Sequence, residues 1–207
     1  HIGIQAAVNG DSIANGADDD GSGSVTLLAI ARAFSQGPKP KRSLLFVWHV
    51  GEEKGLFGSE SFTEHPTVPL DSIVAQLNAD MIGRNGDDSL YIVGPGAAPN
   101  GQSAVLGAVV DSVNAAEAKP FVFDREWDTT THPERIYYRS DHFNYAKKGI
   151  PIVFFTTGLH PQYHQPDDDI AHIDLEHMTQ SIRSLFRPVR WLANSDFVPQ
   201  WRPGGRP

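Results

Sequence analysis

Four short segments of the 207-residue chain combine carboxylate or imidazole side chains with residue types typical of loops. They are GADDDGSG at residues 16–23, GEEKG at 51–55, NADMIG at 78–83 and YHQPDD at 163–168. Carboxylates gathered at one place repel one another unless a cation neutralises them. The chain has no cysteine and the last segment carries a histidine, so the pattern indicates zinc held by oxygen and nitrogen ligands.

Each segment also has an ordinary structural interpretation when it is taken alone. Aspartates that precede a helix are favoured by its dipole and cap its first turn. A glutamate pair after a strand is most often surface charge, and a single loop histidine is most often no ligand. The prediction of a shared site therefore depends on all four segments meeting at one edge of a sheet.

The composition excludes several classes of protein. Lys and Arg number 17 and Asp and Glu number 25, so the formal net charge is −8. A nucleic-acid-binding protein needs a basic face, so no nucleic-acid partner is expected. No apolar run is long enough to cross a bilayer, so no membrane partner is expected either. With 40% hydrophobic and 20% charged residues, the chain is predicted to fold as one globular domain.

Strands and helices alternate along the predicted chain after a loop-like stretch over the first 24 residues. The predicted strands cover residues 43–50, 72–79, 90–93, 121–123 and 151–156. The predicted helices cover residues 22–35, 56–64, 101–117, 141–148 and 174–194. This order predicts an α/β fold with a central, mostly parallel mixed sheet and helices on both faces. The charged segments follow the strand ends, where sites of such folds lie.

Five segments together resemble one enzyme family. NGADDDGSG, GEEKGLFGS, LNADMIG, YRSDHF and YHQPDDD occur in this order. The set resembles the two-zinc aminopeptidase family that includes bacterial secreted leucyl aminopeptidases and, more distantly, glutamate carboxypeptidase II. The resemblance runs from residue 1 to residue 185 or so and implies the zinc-exopeptidase, phosphorylase/hydrolase-like fold. It also implies a secreted or periplasmic protein.

The resemblance assigns a role to each matching residue. The implied metal ligands are Asp19, Glu53, Asp80 and His164. Asp19 would bridge two zinc ions, and Glu53 and His164 would complete one of the two sites. Asp80 would belong to the second site. Glu52 would be the general base, and Tyr163 would help to stabilise the tetrahedral intermediate.

The second metal site departs from the family pattern. Family members often read H-x-D-H-[LI]-G-I, and His1-Ile2-Gly3-Ile4 aligns with the end of that string. The family's ligand histidine would then precede residue 1. We therefore expect residues 1–207 to be a single metallopeptidase catalytic domain truncated at its N-terminus, with a loose tail at 196–207. One metal site would then be complete. The alternatives are that the missing part is a separate polypeptide, that the protein binds a single zinc ion, or that His1 serves as a substitute ligand.

The function implied is removal of N-terminal residues from peptides that carry a free amino terminus. Zinc lowers the pKa of bound water to about 7. Glu52 would accept the proton that this water loses when it becomes the attacking hydroxide. Two alternatives stay open. One is a glutaminyl-cyclase-like acyl transferase with a single zinc, and the other is a non-catalytic binding module of the same fold. The preferred N-terminal residue and the oligomeric state are not specified by the sequence.

Overall fold

A computed structural model describes residues 3–86, 89–96 and 102–201. The strands of this part are β1 (Gly3–Val8), β2 (Asp11–Ala14), β3 (Gln76–Ala79), β4 (Ser89–Val93), β5 (Val122–Asp124) and β6 (Ile152–Thr156). Its α-helices are α1 (Gly23–Gln36), α2 (Phe57–Glu64), α3 (Gln102–Ala115), α4 (His142–Lys147) and α5 (Leu175–Asn194). Each helix begins and ends within two residues of its predicted limits.

The central sheet has four strands in the order β3-β6-β4-β5. The β3–β6 and β4–β5 pairs are parallel, and β4 and β6 are antiparallel. This confirms the predicted mixed α/β sheet. The strand β6 is therefore central and paired on both sides, whereas β3 is paired on one side only among the described residues.

Alternate residues of β6 enter two different hydrophobic cores. Val153 and Phe155 pack into a core on the face covered by α1, α3 and α5. Ile152 and Phe154 pack into a second core on the face covered by α4. Because successive side chains of a strand point to opposite faces, one apolar strand builds both layers. This explains why its sequence is a continuous apolar run rather than an alternating one.

The predicted strand at residues 43–50 is wrong. Residues 43–49 contain no helix, turn or bend, yet they pair with no strand in the described structure. A cavity of about 790 Å³ separates this segment from β3. The apolar sequence fits a strand, but a strand assignment also needs a neighbour within hydrogen-bonding distance.

The loop predicted for the first 24 residues is also partly wrong. β1 and β2 form an antiparallel hairpin in which Val8 pairs with Asp11. Asn9 and Gly10 both have positive φ, 52° and 87°. An Asn-Gly pair with positive φ is the preferred two-residue hairpin turn, so the sequence carried a signal for it. Most hairpin side chains are exposed.

The C-terminal region is packed as far as the structure describes it. The ring of Phe197 lies 5.7 Å from that of Trp191, and Trp201 packs against the second core. Of the tail predicted to be loose, residues 202–207 lie outside the described residues. Within the described parts of the chain, none of the helices combines the length and apolarity needed to cross a lipid bilayer.

Burial of His142 predicts a loss of stability in mild acid. Its ring is stacked 4.7 Å from that of Phe154, and a ring nitrogen lies 2.8 Å from the Tyr137 carbonyl oxygen. Burial lowers the pKa of His142 to about 4. An unfolded histidine titrates near pH 6.5, so the unfolded chain takes up this proton first as the pH falls. The free energy of unfolding should then decrease between pH 6.5 and 4, by about 3 kcal/mol from this group.

Urea unfolding of wild type and two variants across this pH range measures the effect. The His142→Gln variant should lose that part of the pH dependence, whereas the matched change at exposed His172 should keep it. An unchanged pH slope in His142→Gln would show that the buried histidine is not its source.

Candidate metal centre

Three of the predicted ligands lie together at the carboxyl end of the sheet. Nε2 of His164 is 3.0 Å from Oε1 of Glu53 and 3.3 Å from Oδ2 of Asp19. One ligand atom from each residue lies within 4.8 Å of the others. The three side chains come from an irregular turn at Ala17–Ser22, a 3₁₀ turn at Glu52–Lys54 and the loop after β6.

The spacing of these atoms fits zinc. Zinc–ligand distances of about 2.0–2.2 Å at tetrahedral angles place ligand atoms about 3.3–3.6 Å apart. The distances from His164 to its two carboxylate neighbours, 3.3 and 3.0 Å, lie at the lower end of this range or slightly below it. A hydrogen bond with Asp19 raises the pKa of His164 against the opposing effect of burial, and the Glu53 charge adds to the rise. The cluster therefore favours positive charge at this point, as a cation site must.

The other two predicted acidic residues line the same small cavity, of about 40 Å³. Glu52 is buried, whereas the side chain of its neighbour Glu53 is 30% exposed, so the two occupy different surroundings. Asp80 is buried at the end of β3, and its Oδ2 accepts a hydrogen bond of 2.7 Å from Ser140 Oγ. Among the described residues Asp80 stands outside the three-ligand cluster, and His1 is not described.

Tyr163 lies directly over the histidine of the cluster. Its ring stacks on that of His164 at 3.7 Å, and its hydroxyl oxygen accepts a 2.9 Å hydrogen bond from Arg139 Nη2. Burial raises the pKa of Tyr163 to about 12, although Arg139 opposes the rise. The phenol therefore keeps its proton at neutral pH, and its O–H is able to donate while its oxygen accepts.

Close backbone packing fixes the start of α1 against the end of β3. A Cβ atom on Gly23 would lie 2.4 Å from the carbonyl oxygen of Ala79, so glycine is required there. Oδ1 of Asp20 accepts hydrogen bonds from the backbone N–H of Gly23 at 2.9 Å and of Met81 at 3.2 Å. Asp20 thus ties the aspartate turn both to the start of α1 and to the backbone that follows β3, next to Asp80.

A second set of buried charges holds the turn that carries Asp19. The Asp168 carboxylate, 2% exposed, accepts hydrogen bonds from the backbone N–H of Asp18 and of Asp19, each at 3.0 Å. Asp18 in turn accepts from the Gly83 N–H at 2.7 Å and lies 3.3 Å from His160 Nε2. No sequence pattern assigned a role to Asp18, Asp168 or His160. The one signal was that three consecutive aspartates cannot all face one cation, so the outer two need other partners.

A comparison with protein-family models matches residues 2–187 to peptidase family M28. The chain belongs to peptidase family M28. Leucine aminopeptidase 1 of Arthroderma gypseum is 31% identical over 205 residues, which cover 91% of this chain and 52% of that protein. The M28 chain thus spans about half the length of the relatives that it matches.

Solved structures show the same fold. Legionella pneumophila LapA superposes with a TM-score of 0.70 at 25% identity, covering 89% of this chain and 50% of LapA. BSAP, a zinc aminopeptidase from Bacillus subtilis, superposes with a TM-score of 0.69 at 21% identity, covering 89% and 44%. The α/β, zinc-exopeptidase-like fold implied by the sequence resemblance is therefore confirmed.

The Asp168 contacts predict an effect on metal affinity from a residue that is not a ligand. Asp168→Asn should weaken zinc binding by about 10–100-fold, because partners that orient a ligand contribute that much. Competition with a chromophoric chelator measures the affinity, and circular dichroism verifies the fold. The matched variant Asp167→Asn, at an exposed neighbour, should bind zinc as wild type does. Equal zinc affinity in both variants would show that the hydrogen bonds to Asp168 do not position Asp19.

Proposed function

We propose that this chain carries the catalytic centre of a zinc-dependent aminopeptidase. The observation that carries the proposal is the cluster of Asp19, Glu53 and His164 beside Glu52 in one cavity. These three residues would hold the ion. A zinc ion bound there would supply Lewis-acid chemistry, polarising a carbonyl group and lowering the pKa of water. Secretion, implied by the sequence resemblance, is part of the same proposal.

Glu52 is the proposed general base. It lines the cavity but stands outside the ligand cluster, so its carboxylate serves proton transfer rather than coordination. In this role it accepts a proton from the attacking water and delivers it to the leaving amine. Such transfers contribute about 10²–10⁴-fold to the rate.

Tyr163 is the proposed oxyanion donor. Its protonated hydroxyl supplies a hydrogen bond to the negative charge that develops on the carbonyl oxygen. The bond from Arg139 Nη2 to the Tyr163 oxygen holds the ring in place and polarises the O–H. Arg139 thus acts on the reaction through Tyr163 and is a positioning residue.

The walls of the cavity favour a peptide with an apolar first residue. Its lining includes Trp127, Ile136 and Leu159 together with the carboxylates of Glu52 and Asp80. Carboxylates attract the free amino group of a peptide, and apolar walls favour an apolar side chain next to it. The relative in Arthroderma gypseum carries the name leucine aminopeptidase, which supports this choice of substrate.

The number of zinc ions proposed for these residues is one. Asp19, Glu53 and His164 form a three-ligand site, whereas Asp19 and Asp80 would offer a second ion two carboxylates and no imidazole. One strong site also fits the second candidate function, a glutaminyl-cyclase-like acyl transferase. The products separate the two: a peptidase releases a free amino acid, and a cyclase closes the ring of an N-terminal glutamine.

The adjacent glutamates should separate catalysis from metal binding. Glu52→Gln should retain zinc and lower kcat by about 10²–10⁴-fold, because it removes only the proton acceptor. Glu53→Gln should lose zinc affinity, because it removes a charged ligand. Zinc content and release of leucine from a leucyl peptide are measured on both variants. If Glu52→Gln lost zinc and Glu53→Gln kept it, the two roles would be reversed. If the zinc-loaded wild-type protein released no amino acid, the proposed peptidase activity would be refuted.

Removing the Tyr163 hydroxyl should affect the reaction without affecting the metal. Tyr163→Phe should lower kcat by about 10²–10³-fold, the usual cost of one oxyanion donor, with unchanged zinc content. The matched variant Tyr138→Phe changes a tyrosine outside this cavity and should leave kcat at the wild-type value. An unchanged kcat in Tyr163→Phe would contradict the assignment of Tyr163 as the oxyanion donor.

A further inference from the structure

One aromatic side chain in the wall of the small metal-centre cavity comes from a segment without regular structure. Trp127 lines this cavity together with Ile136 and Phe154. It belongs to residues 125–135, all of which the structure describes and none of which lies in a helix or strand. Side chains on such segments are placed less precisely than those on helices and strands, so the position of this wall depends on specific anchors.

The carboxylate of Asp128, the next residue, is the first anchor. Its side chain is 3% exposed. Its Oδ1 accepts a hydrogen bond of 2.8 Å from the Gly94 N–H, and its Oδ2 accepts one of 2.7 Å from the Gly96 N–H. These two glycines follow shortly after the end of β4. The bonds therefore fasten the segment of Trp127 to a strand of the central sheet.

An arginine supplies the countercharge for this buried carboxylate. Arg125 Nη1 lies 3.4 Å from Asp128 Oδ2, and Arg125 Nη2 lies 2.7 Å from Asp111 Oδ1 on α3. A buried carboxylate is stable only when hydrogen bonds and a partner charge replace its water. Two backbone donors and a guanidinium meet this requirement for Asp128, and they join its segment to both β4 and α3.

The indole of Trp127 is held by a second anchor, a stack of rings. Tyr91 of β4 and Trp127 have ring centroids 4.1 Å apart and planes 11° from parallel. Gly158, in the loop after β6, packs beside both rings: a Cβ there would lie 2.9 Å from Tyr91 Cε2 and 3.5 Å from Trp127 Cη2. The same loop continues to Tyr163 and His164. The stack therefore fixes the Trp127 wall against the loop that carries groups of the metal centre.

We propose that Asp128 is a positioning residue that sets the preference of the metal centre for the first side chain of its peptide substrate. It acts through Trp127, which contacts that side chain when it is large and apolar, as in leucine. A small side chain such as that of alanine ends short of this wall, so only large residues gain from its position. The inference rests on the proposed function and adds the residue that governs its selectivity.

The Asp128→Asn variant tests this role. The amide keeps the shape of the carboxylate but has one acceptor oxygen instead of two, so one of the two glycine N–H groups loses its partner. The ratio of kcat/KM for leucine para-nitroanilide to that for alanine para-nitroanilide should fall about tenfold, through a higher KM for the leucine substrate, because apolar pocket contacts discriminate by about 10–200-fold. The kcat and the zinc affinity should stay at the wild-type values, since β4 and α3 carry no candidate ligand.

Two further variants separate positioning from a general effect on the fold. Glu126→Gln makes the corresponding change at the other neighbour of Trp127, on a side chain that is 63% exposed, and should keep the wild-type ratio. Trp127→Ala should lower the leucine-to-alanine ratio at least as much as Asp128→Asn does. Adding Asp128→Asn to Trp127→Ala should lower the ratio no further, because the wall through which Asp128 acts is already lost.

Circular dichroism and the zinc titration verify that the variants are folded. If Asp128→Asn does not fold, Arg125→Gln takes its place. This change leaves both carboxylate oxygens of Asp128 and removes only the countercharge. It should lower the leucine-to-alanine ratio about threefold, since a partly exposed ion pair contributes about that much.

Binding of analogues that cannot be cleaved keeps the test independent of peptidase activity. L-leucinol and L-alaninol carry the same amino groups and side chains but no peptide bond, and NMR titration gives their affinities for each variant. If wild type cleaves neither nitroanilide but prefers leucinol, and Asp128→Asn removes this preference, the proposed peptidase fails and the role of Asp128 stands.

Three outcomes would overturn the role of Asp128. An unchanged leucine-to-alanine ratio in folded Asp128→Asn would show that the anchor does not affect selectivity. An equal loss of kcat/KM for both substrates would leave it a purely structural role. A further fall of the ratio in the double variant would show that Asp128 does not act through Trp127. Equal preference of wild type for both side chains would remove the Trp127 wall as a determinant of selectivity.

Discussion

Buried carboxylates at one end of a sheet are stable only if each has its own partner, and this constraint shapes the whole candidate metal centre. The run of three aspartates shows how it is met. Asp18 accepts from the backbone N–H of Gly83, Asp19 faces His164, and Asp20 caps the first turn of α1. Consecutive residues thus point to three different elements. Of the three, only the middle carboxylate belongs to the candidate cation site, so a loop this acidic supplies a single candidate ligand.

The same partners bring the loops of the site together. Asp168 lies four residues after His164 and binds the backbone beside Asp19. Asp20 binds the backbone at Met81, next to Asp80. Each carboxylate that binds no metal therefore connects two of the loops that carry candidate ligands. Because these contacts use backbone N–H groups, they set the path of the main chain and not only side-chain orientation.

Local sequence patterns predicted the helices and the central strand well, since capping residues, periodicity and apolar runs act over a few neighbours. The predictions that failed depended on distant or overlooked partners. The segment 43–50 has the composition of a strand, but pairing depends on what lies beside it. The Asn9-Gly10 turn carried a local signal that the density of small polar residues obscured. The hydrogen bonds from the backbone of Asp18 and Asp19 to Asp168 join residues that lie 150 and 149 positions apart in the sequence. No pattern within one segment reveals such contacts.

The three candidate ligands are anchored unequally by the fold. His164 follows β6, which is paired on both sides, whereas Glu53 follows a segment that pairs with no strand in the described structure. Short-range hydrogen bonds such as Gly58 N–H to the Val50 carbonyl hold the turn around Glu53. A cation shared by Glu53 and His164 would therefore connect a segment that lies outside the sheet to the end of a strand that is paired on both sides. Metal binding would then stabilise the arrangement of residues 43–53 that places Glu53 beside His164.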